Sequence, residues 1–227
     1  MLKKNMEKMI DCRLHDPLWW FLAAFLAINI LSGCAIDQVH STAHHSNVTL
    51  ESGDLETHGV AFITPSTVTG QEEDKQTLAF IFAEVINEES PDIKVVSLAQ
   101  TLSAINKAGL ADSYKAMYID YGDTGIFRHD ILKQVGEATG VRYLAQLQLS
   151  DFVQDSRGRF SAFGLRLVQT KEANIRVFMQ IWDSEDGSIV WEGTEEVTYA
   201  WESGTAEPVT FRVIVEETAQ NLIGLLP

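Results

Sequence analysis

Cys34 carries the clearest covalent chemistry in this chain, because of what surrounds it. An apolar run from Leu18 to Leu31 leads to the small residues Ser32 and Gly33 and then to the thiol. Lys3, Lys4, Lys8 and Arg13 precede the run, and a polar, histidine-rich segment follows it. Basic, apolar and small-residue regions in that order make a secretory signal. Cleavage before Cys34 would leave its thiol and its new amino group free for acylation. The run is shorter than the roughly 20 residues a helix needs to cross a bilayer. Stretched with Met9 and Ile10 it would read instead as an uncleaved transmembrane anchor. Glu7, Asp11 and Asp16 are foreign to an n-region and point to Met6 or Met9 as the true start. The only other cysteine is Cys12, inside the leader. From Val48 onward there is none, which excludes an intramolecular disulfide, a thiol nucleophile and a cysteine zinc site in the folded domain.

The remaining reactive residue types are sparse. His40, His44 and His45 are close enough in sequence to chelate a metal, but nothing nearby fixes their geometry, and a solvated linker is the reading taken. His58 and His129 are the histidines left for a catalytic triad, and no Gly-x-Ser-x-Gly elbow accompanies them. Walker, dinucleotide and His-Glu-x-x-His patterns are also absent. Asp123-Thr124-Gly125 matches the aspartic-protease triplet, yet that chemistry needs two carboxylates sharing a proton and a preceding apolar strand. Asp123 or Thr124 is read as the cap of the next helix. Asp183-Ser184-Glu185-Asp186-Gly187 reads as an acidic hairpin turn without EF-hand spacing. Trp182 and Trp191 read as core. Trp201, beside a loop, is the residue assigned to a partner surface. No cofactor and no metal are expected.

The elements that must position these residues follow from periodicity. Residues 35 to 56 are rich in Ser, Thr, Asn, Asp and His with no sustained period and read as a flexible tether. Gly59 to Pro65 is a short buried strand, and Gln71 to Asn87 a helix with Leu78, Ile81, Phe82, Val85 and Ile86 on one stripe. Ile93 to Ser97 is a strand, followed by helices over Leu98–Ala108, Ala111–Tyr121 and Phe127–Thr139. Tyr114, Met117, Tyr118 and Tyr121 form an aromatic stripe read as core. At Val141 the period changes to two, through Tyr143, Ala145, Leu147 and Leu149. Further strands are expected over Phe160–Val168, Ile175–Trp182 and Ile189–Tyr199, then a helix over Val209–Leu225. The fold class is therefore α/β (α+β). It has a single mixed sheet with helices packed on it, an alternating βα first half, an antiparallel meander second half and a C-terminal helix. Residues 1–33 are the signal peptide, 34–57 the lipidated tether and 58–227 one domain.

Composition limits what such a domain binds. The chain has 227 residues, 45% of them hydrophobic, and a formal charge of −15. Residues 1–33 hold four basic and three acidic residues, which leaves −16 for the rest. So acidic a chain does not bind nucleic acid, and the domain is not drawn as a whole to an anionic membrane.

Leu31-Ser32-Gly33-Cys34 resembles a bacterial lipobox. That resemblance implies diacylglyceryl transfer to Cys34, cleavage and N-acylation with fatty acid such as palmitate. Ala35, standing where an aspartate would signal inner-membrane retention, implies the outer membrane. Three features together resemble a wider group: this lipobox, the strand Val60-Ala61-Phe62-Ile63-Thr64-Pro65, and the run Gly140–Ala145 leading to Trp182-Asp183-Ser184 and Gly187–Gly193. They look like the periplasm-facing fold shared by the curli-secretion lipoprotein, the amino-terminal domain of TolB and lipoprotein activators of peptidoglycan synthases. The resemblance implies a non-catalytic lipoprotein that binds and supports or regulates a cell-envelope assembly, in peptidoglycan synthesis, secretion or the flagellum. Its partners would be the membrane, through the lipid on Cys34, and an envelope protein. A homo-oligomeric export component of the curli-secretion type and an envelope hydrolase with an unfamiliar site are the alternatives. Arg166, Lys171 and Arg176 argue for a soluble meander over membrane-inserted hairpins.

Overall fold

The alternation that begins at Tyr143 builds the central strand. The computed structural model describes residues 38–162, 165–203 and 210–227, and over 154–170 and 201–203 the description is of backbone alone. Leu31, Ser32, Gly33 and Cys34 lie outside the described residues. Strand β5 (Tyr143–Ala162) sends Tyr143, Ala145, Leu147 and Leu149 into one buried cluster and Leu144 into another, because successive strand residues face opposite ways. Along one edge it pairs antiparallel with β6 (Leu165–Asp183), which pairs antiparallel with β7 (Ile189–Ser203). Along the other it runs parallel to β2 (Val60–Phe62) and, further on, to β3 (Ser66–Thr67). Strand β4 (Val95–Val96) lies parallel to β2, and β1 (Gln38–Asn47) lies antiparallel to β7. The sheet has seven strands in the order β1-β7-β6-β5-β2-β4, with β3 beside β5. This is the mixed sheet expected of the α+β class.

Helices cover both faces. Besides the short α1 (Asp54–His58), α2 (Glu72–Glu89) and the closing α6 (Phe211–Ile223) pack on one face. On the other lie α3 (Leu98–Lys107), α4 (Ala111–Thr124) and α5 (His129–Thr139). The α2 stripe of Leu78, Ile81, Phe82, Val85 and Ile86 is buried as its spacing requires. Each such side chain contributes roughly 1.5–3 kcal/mol on burial. Helix α3 starts with a capping box: the Ser97 hydroxyl accepts from the Gln100 N–H while the Gln100 side chain accepts from the Ser97 N–H. Trp182 and Trp191 are core residues, as expected.

Three expectations are corrected. Within the segment read as a flexible tether, 34–57, residues 38–47 form β1 and α1 begins at Asp54. The apolar content of β1 is only Val39 and Ala43, and it is an edge strand exposed along nearly all its length. Backbone pairing with β7 holds it, along with side-chain contacts, among them a hydrogen bond from the Asn221 amide to the Ser41 hydroxyl. His45 stacks on Trp191 with ring centroids 6.3 Å apart, and Ser41 donates to the carboxylate of Glu195. Second, Phe160–Val168 is not one strand. Phe160–Ala162 ends β5 and Leu165–Val168 begins β6, paired as the far end of one long hairpin. Third, neither Asp123 nor Thr124 caps a following helix. Thr124 is the last residue of α4, where its hydroxyl donates to the Asp120 carbonyl and accepts from the Ile126 N–H, and α5 starts after Arg128.

Glu195 is fully buried, an uncommon place for a carboxylate. Its Oε1 accepts from Ser41 of β1 and from the Asn221 amide of α6, at 2.5 and 2.9 Å. This one group joins the edge strand, the sheet and the closing helix. Replacing Ser41 with Ala should cost about 1–2 kcal/mol and raise amide hydrogen exchange selectively over 38–47. Unchanged protection there would show that the contact does not hold β1.

The aromatic stripe of α4 closes over the start of the sheet. The Tyr114 hydroxyl accepts from the Thr64 N–H at 2.9 Å, and the Tyr118 hydroxyl donates to the Thr64 carbonyl at 2.8 Å. Phe127 stacks on Tyr121 and meets Tyr118 and Trp182 edge-on. Burial raises the Tyr114 pKa, and burial with Tyr114 alongside raises that of Tyr118 further. A tyrosine raised in the folded state contributes stability that is complete below its unfolded pKa of about 10 and is lost above it. Urea midpoints should therefore hold steady up to about pH 10 and fall beyond it. The fall should be smaller in Tyr118→Phe.

Candidate functional site

The residues with chemistry do not converge. Alternation along β1 places His40 and His44 on one face and His45 on the other, against Trp191. Among the described residues, no group of three or more His, Cys, Asp and Glu is placed to hold a metal ion. Asp123 sits in the last turn of α4 with no second Asp-Thr-Gly to face it. His129, at the start of α5, contacts the Glu185 carbonyl through Nε2 at 2.7 Å. Trp201 lies in β7 opposite Lys171, and its side chain is outside the described residues. The pattern gave no signal for two other places, a polar pocket and an apolar groove.

The polar pocket, of about 420 Å3, lies where β2 and β5 begin and β6 ends, and includes His58, Lys133, Arg142, Ser184 and Glu185 in its lining. Arg142 dominates it. Its Nε and Nη2 donate to Asp183 at 3.0 and 2.6 Å, and Glu185 stands 3.4 Å from Nε. Asp183 is only 2% exposed, so its charge is balanced by a fork of donors. The hydrogen bond to Asp183 holds the guanidinium above its ordinary pKa. The acidic turn folds around this pair. Asp183 also accepts from the Glu185 N–H, Asp186 from the Ser188 N–H, and Gly187 takes a φ of +80° with His129 packed where a Cβ would stand. Hydrogen bonds from Ser188 keep the Asp186 pKa below the usual carboxylate value. Gly136 of α5 lies so close to Ser184 that a methyl group would collide with it. Every charge in the turn thus has a structural role, and the pocket is a buttress between α5 and the sheet.

The groove, of about 500 Å3, runs between α2 and α3 and is lined by Phe80, Leu98, Leu102, Gln76, Thr77 and Arg212, among others. Phe80 is 52% exposed although its neighbours Ala79 and Ile81 are buried. Arg212, at the start of α6, lies over the Phe80 ring, 5.9 Å from its centroid, and pairs with Glu84 at 2.7 Å. The remainder of the face formed by β6 and β7 is polar, with Arg176 and Glu196 paired at 2.7 Å and Asn174 donating to Thr198.

No helix among the described residues is long and apolar enough to cross a membrane. No protein-family model and no curated protein matches the chain. Solved structures with a related arrangement include the PelC dodecamer from Paraburkholderia phytofirmans, at 13% identity and a TM-score of 0.46 over 84% of this chain and 97% of that one. They also include lipoprotein GNA1162 from Neisseria meningitidis, at 10% identity and a TM-score of 0.43 over 74% of this chain and 98% of that one. Likeness this distant carries no functional argument.

Replacing Arg142 with Met would leave Asp183 charged, buried and short of its donors. Urea denaturation should show a loss of about 2–3 kcal/mol. A change below 0.5 kcal/mol, the range of neutral surface substitutions, would remove the buttress role.

Proposed function

We propose that this chain is a non-catalytic lipoprotein, anchored through Cys34 in the outer membrane and facing the periplasm, that binds and supports or regulates an envelope assembly. The observation that carries the reading is the groove beside Phe80. An aromatic ring half in water, with a guanidinium over its face and leucines beneath, is the composition of an interface anchor. In the polar pocket, by contrast, Arg142 is held by Asp183 and Glu185 as part of the turn. The anchor reading rests on the leader and on Leu31, Ser32, Gly33 and Cys34.

A photo-crosslinking residue in place of Thr77, in the full chain in cells, tests the partner. The expected result is a discrete adduct with another envelope protein that disappears when Phe80 is replaced by Glu. An adduct at twice the subunit mass would favour the homo-oligomeric export alternative, and no adduct would sink the groove as a docking site. In the same cells Cys34→Ser should move the protein out of the membrane fraction; retention there would mean a transmembrane anchor.

A further inference from the structure

The longest hairpin of the sheet extends past the end at which β1 begins. Strand β1 pairs antiparallel to β7, so its first residue, Gln38, stands opposite Ala200, which stands opposite Glu172, which stands opposite Asp155. Past that level β7 stays paired with β6 as far as Ser203 opposite Gln169, with Glu202 opposite Thr170, and beyond it β5 and β6 run on as a pair to Ala162 opposite Leu165. Seven further residues at about 3.3 Å each carry the hairpin roughly 23 Å beyond Gln38. Cys34 is four residues before Gln38, a leash of at most about 14 Å. The hairpin therefore outreaches the segment that ties β1 to Cys34.

Its composition departs from the rest of the chain. Between Ser156 and Lys171 there are four basic residues, Arg157, Arg159, Arg166 and Lys171, and no acidic one, in a chain whose net charge is −15. Phe160, Leu165 and Leu167 occupy the end of the hairpin among them. Basic residues interleaved with Phe and Leu, at the end of the sheet where β1 begins, match an anionic bilayer surface. Cations meet headgroups, and apolar residues enter the interface.

We infer that the far end of the β5–β6 hairpin is a second membrane contact, in which Arg157, Arg159, Arg166 and Lys171 engage the anionic phospholipids of the bilayer that holds the Cys34 lipid. The contact rests on the reading of Cys34 as the anchor. It fixes the orientation of the domain: the Gln38 end of the sheet faces the membrane, and the turn at Asp183–Gly187 faces away.

Mature lipidated protein carrying Ser161→Cys, labelled with an environment-sensitive fluorophore, tests this on vesicles of phosphatidylethanolamine and phosphatidylglycerol containing nitroxide-labelled lipid. A label at Val48→Cys, just past the opposite end of β1, is the control. The label at 161 should shift to the blue and be quenched, and the label at 48 should report water. Replacing Arg157 and Arg159 with Gln should weaken the contact about fivefold for each charge removed, and vesicles of phosphatidylcholine alone should weaken it similarly. If the protein floats with the vesicles but the two labels behave alike, the hairpin contact is overturned and the anchor stands. If the protein does not float at all, both readings fall. Quenching at 161 that is indifferent to Arg157, Arg159 and lipid charge would overturn the electrostatic basis of the contact.

Discussion

Strand β5 must satisfy two kinds of pairing at once, parallel to β2 and β3 along one edge and antiparallel to β6 along the other. Its side-chain period of two then decides what each layer of helices can rest on. Tyr143, Ala145, Leu147 and Leu149 give α2 and α6 a continuous apolar floor, while Leu144 alone supplies the opposite face before Gln146 and Gln148 turn it polar. That asymmetry explains why α3, α4 and α5 gather at one end of the sheet, over Ala61, Ile63, Leu144 and Trp182. It also leaves the middle of the meander bare on that side, covered by ion pairs and amides.

Elements whose burial is one-sided or complete were legible in the sequence. The stripe of α2, the Gly187 turn and the two buried tryptophans follow from spacing and from residue type. Strand β1, the longest element missed, is held more by backbone pairing than by apolar burial. Strand β1, with Ser, Thr and His along its length, has almost nothing that a hydrophobic period can register. It is held by β7 and by Glu195, a residue 150 positions away in the sequence and more. The far end of the β5–β6 hairpin defeated the reading differently, since a run from Phe160 to Val168 is apolar enough for one strand and holds no strong turn dipeptide. The reading of Cys34 rests on a linear pattern that needs no fold, and the residue lies outside those the structure describes. The Phe80 groove was not legible, because it forms where α2, α3 and α6 meet. Phe80 itself falls off the buried stripe of its own helix, and that was the available signal.

Charge in this domain is divided by location. The helices carry much of the acidic excess, Arg142 is matched inside the fold at the Asp183–Gly187 end, and Asp155, Glu172 and Glu202 stand on the strands near the base of the hairpin. The basic residues of the hairpin lie at the other end. Exposed pairs such as Arg176–Glu196 contribute little to stability, so the value of this division lies in orientation.

The direction of β1 has a mechanical consequence. With Cys34 as the proposed anchor, tension between a membrane and anything gripping the domain would enter the sheet at Gln38, along the strand axis. The hydrogen bonds to β7 run across that axis and span the register from Gln38 opposite Ala200 to Asn47 opposite Trp191. The load is therefore shared by the whole ladder in shear, whereas a pull from the side would open it one bond at a time. An edge strand with little hydrophobic content thus serves as a strap, strongest in the one direction in which a surface-tethered protein is pulled.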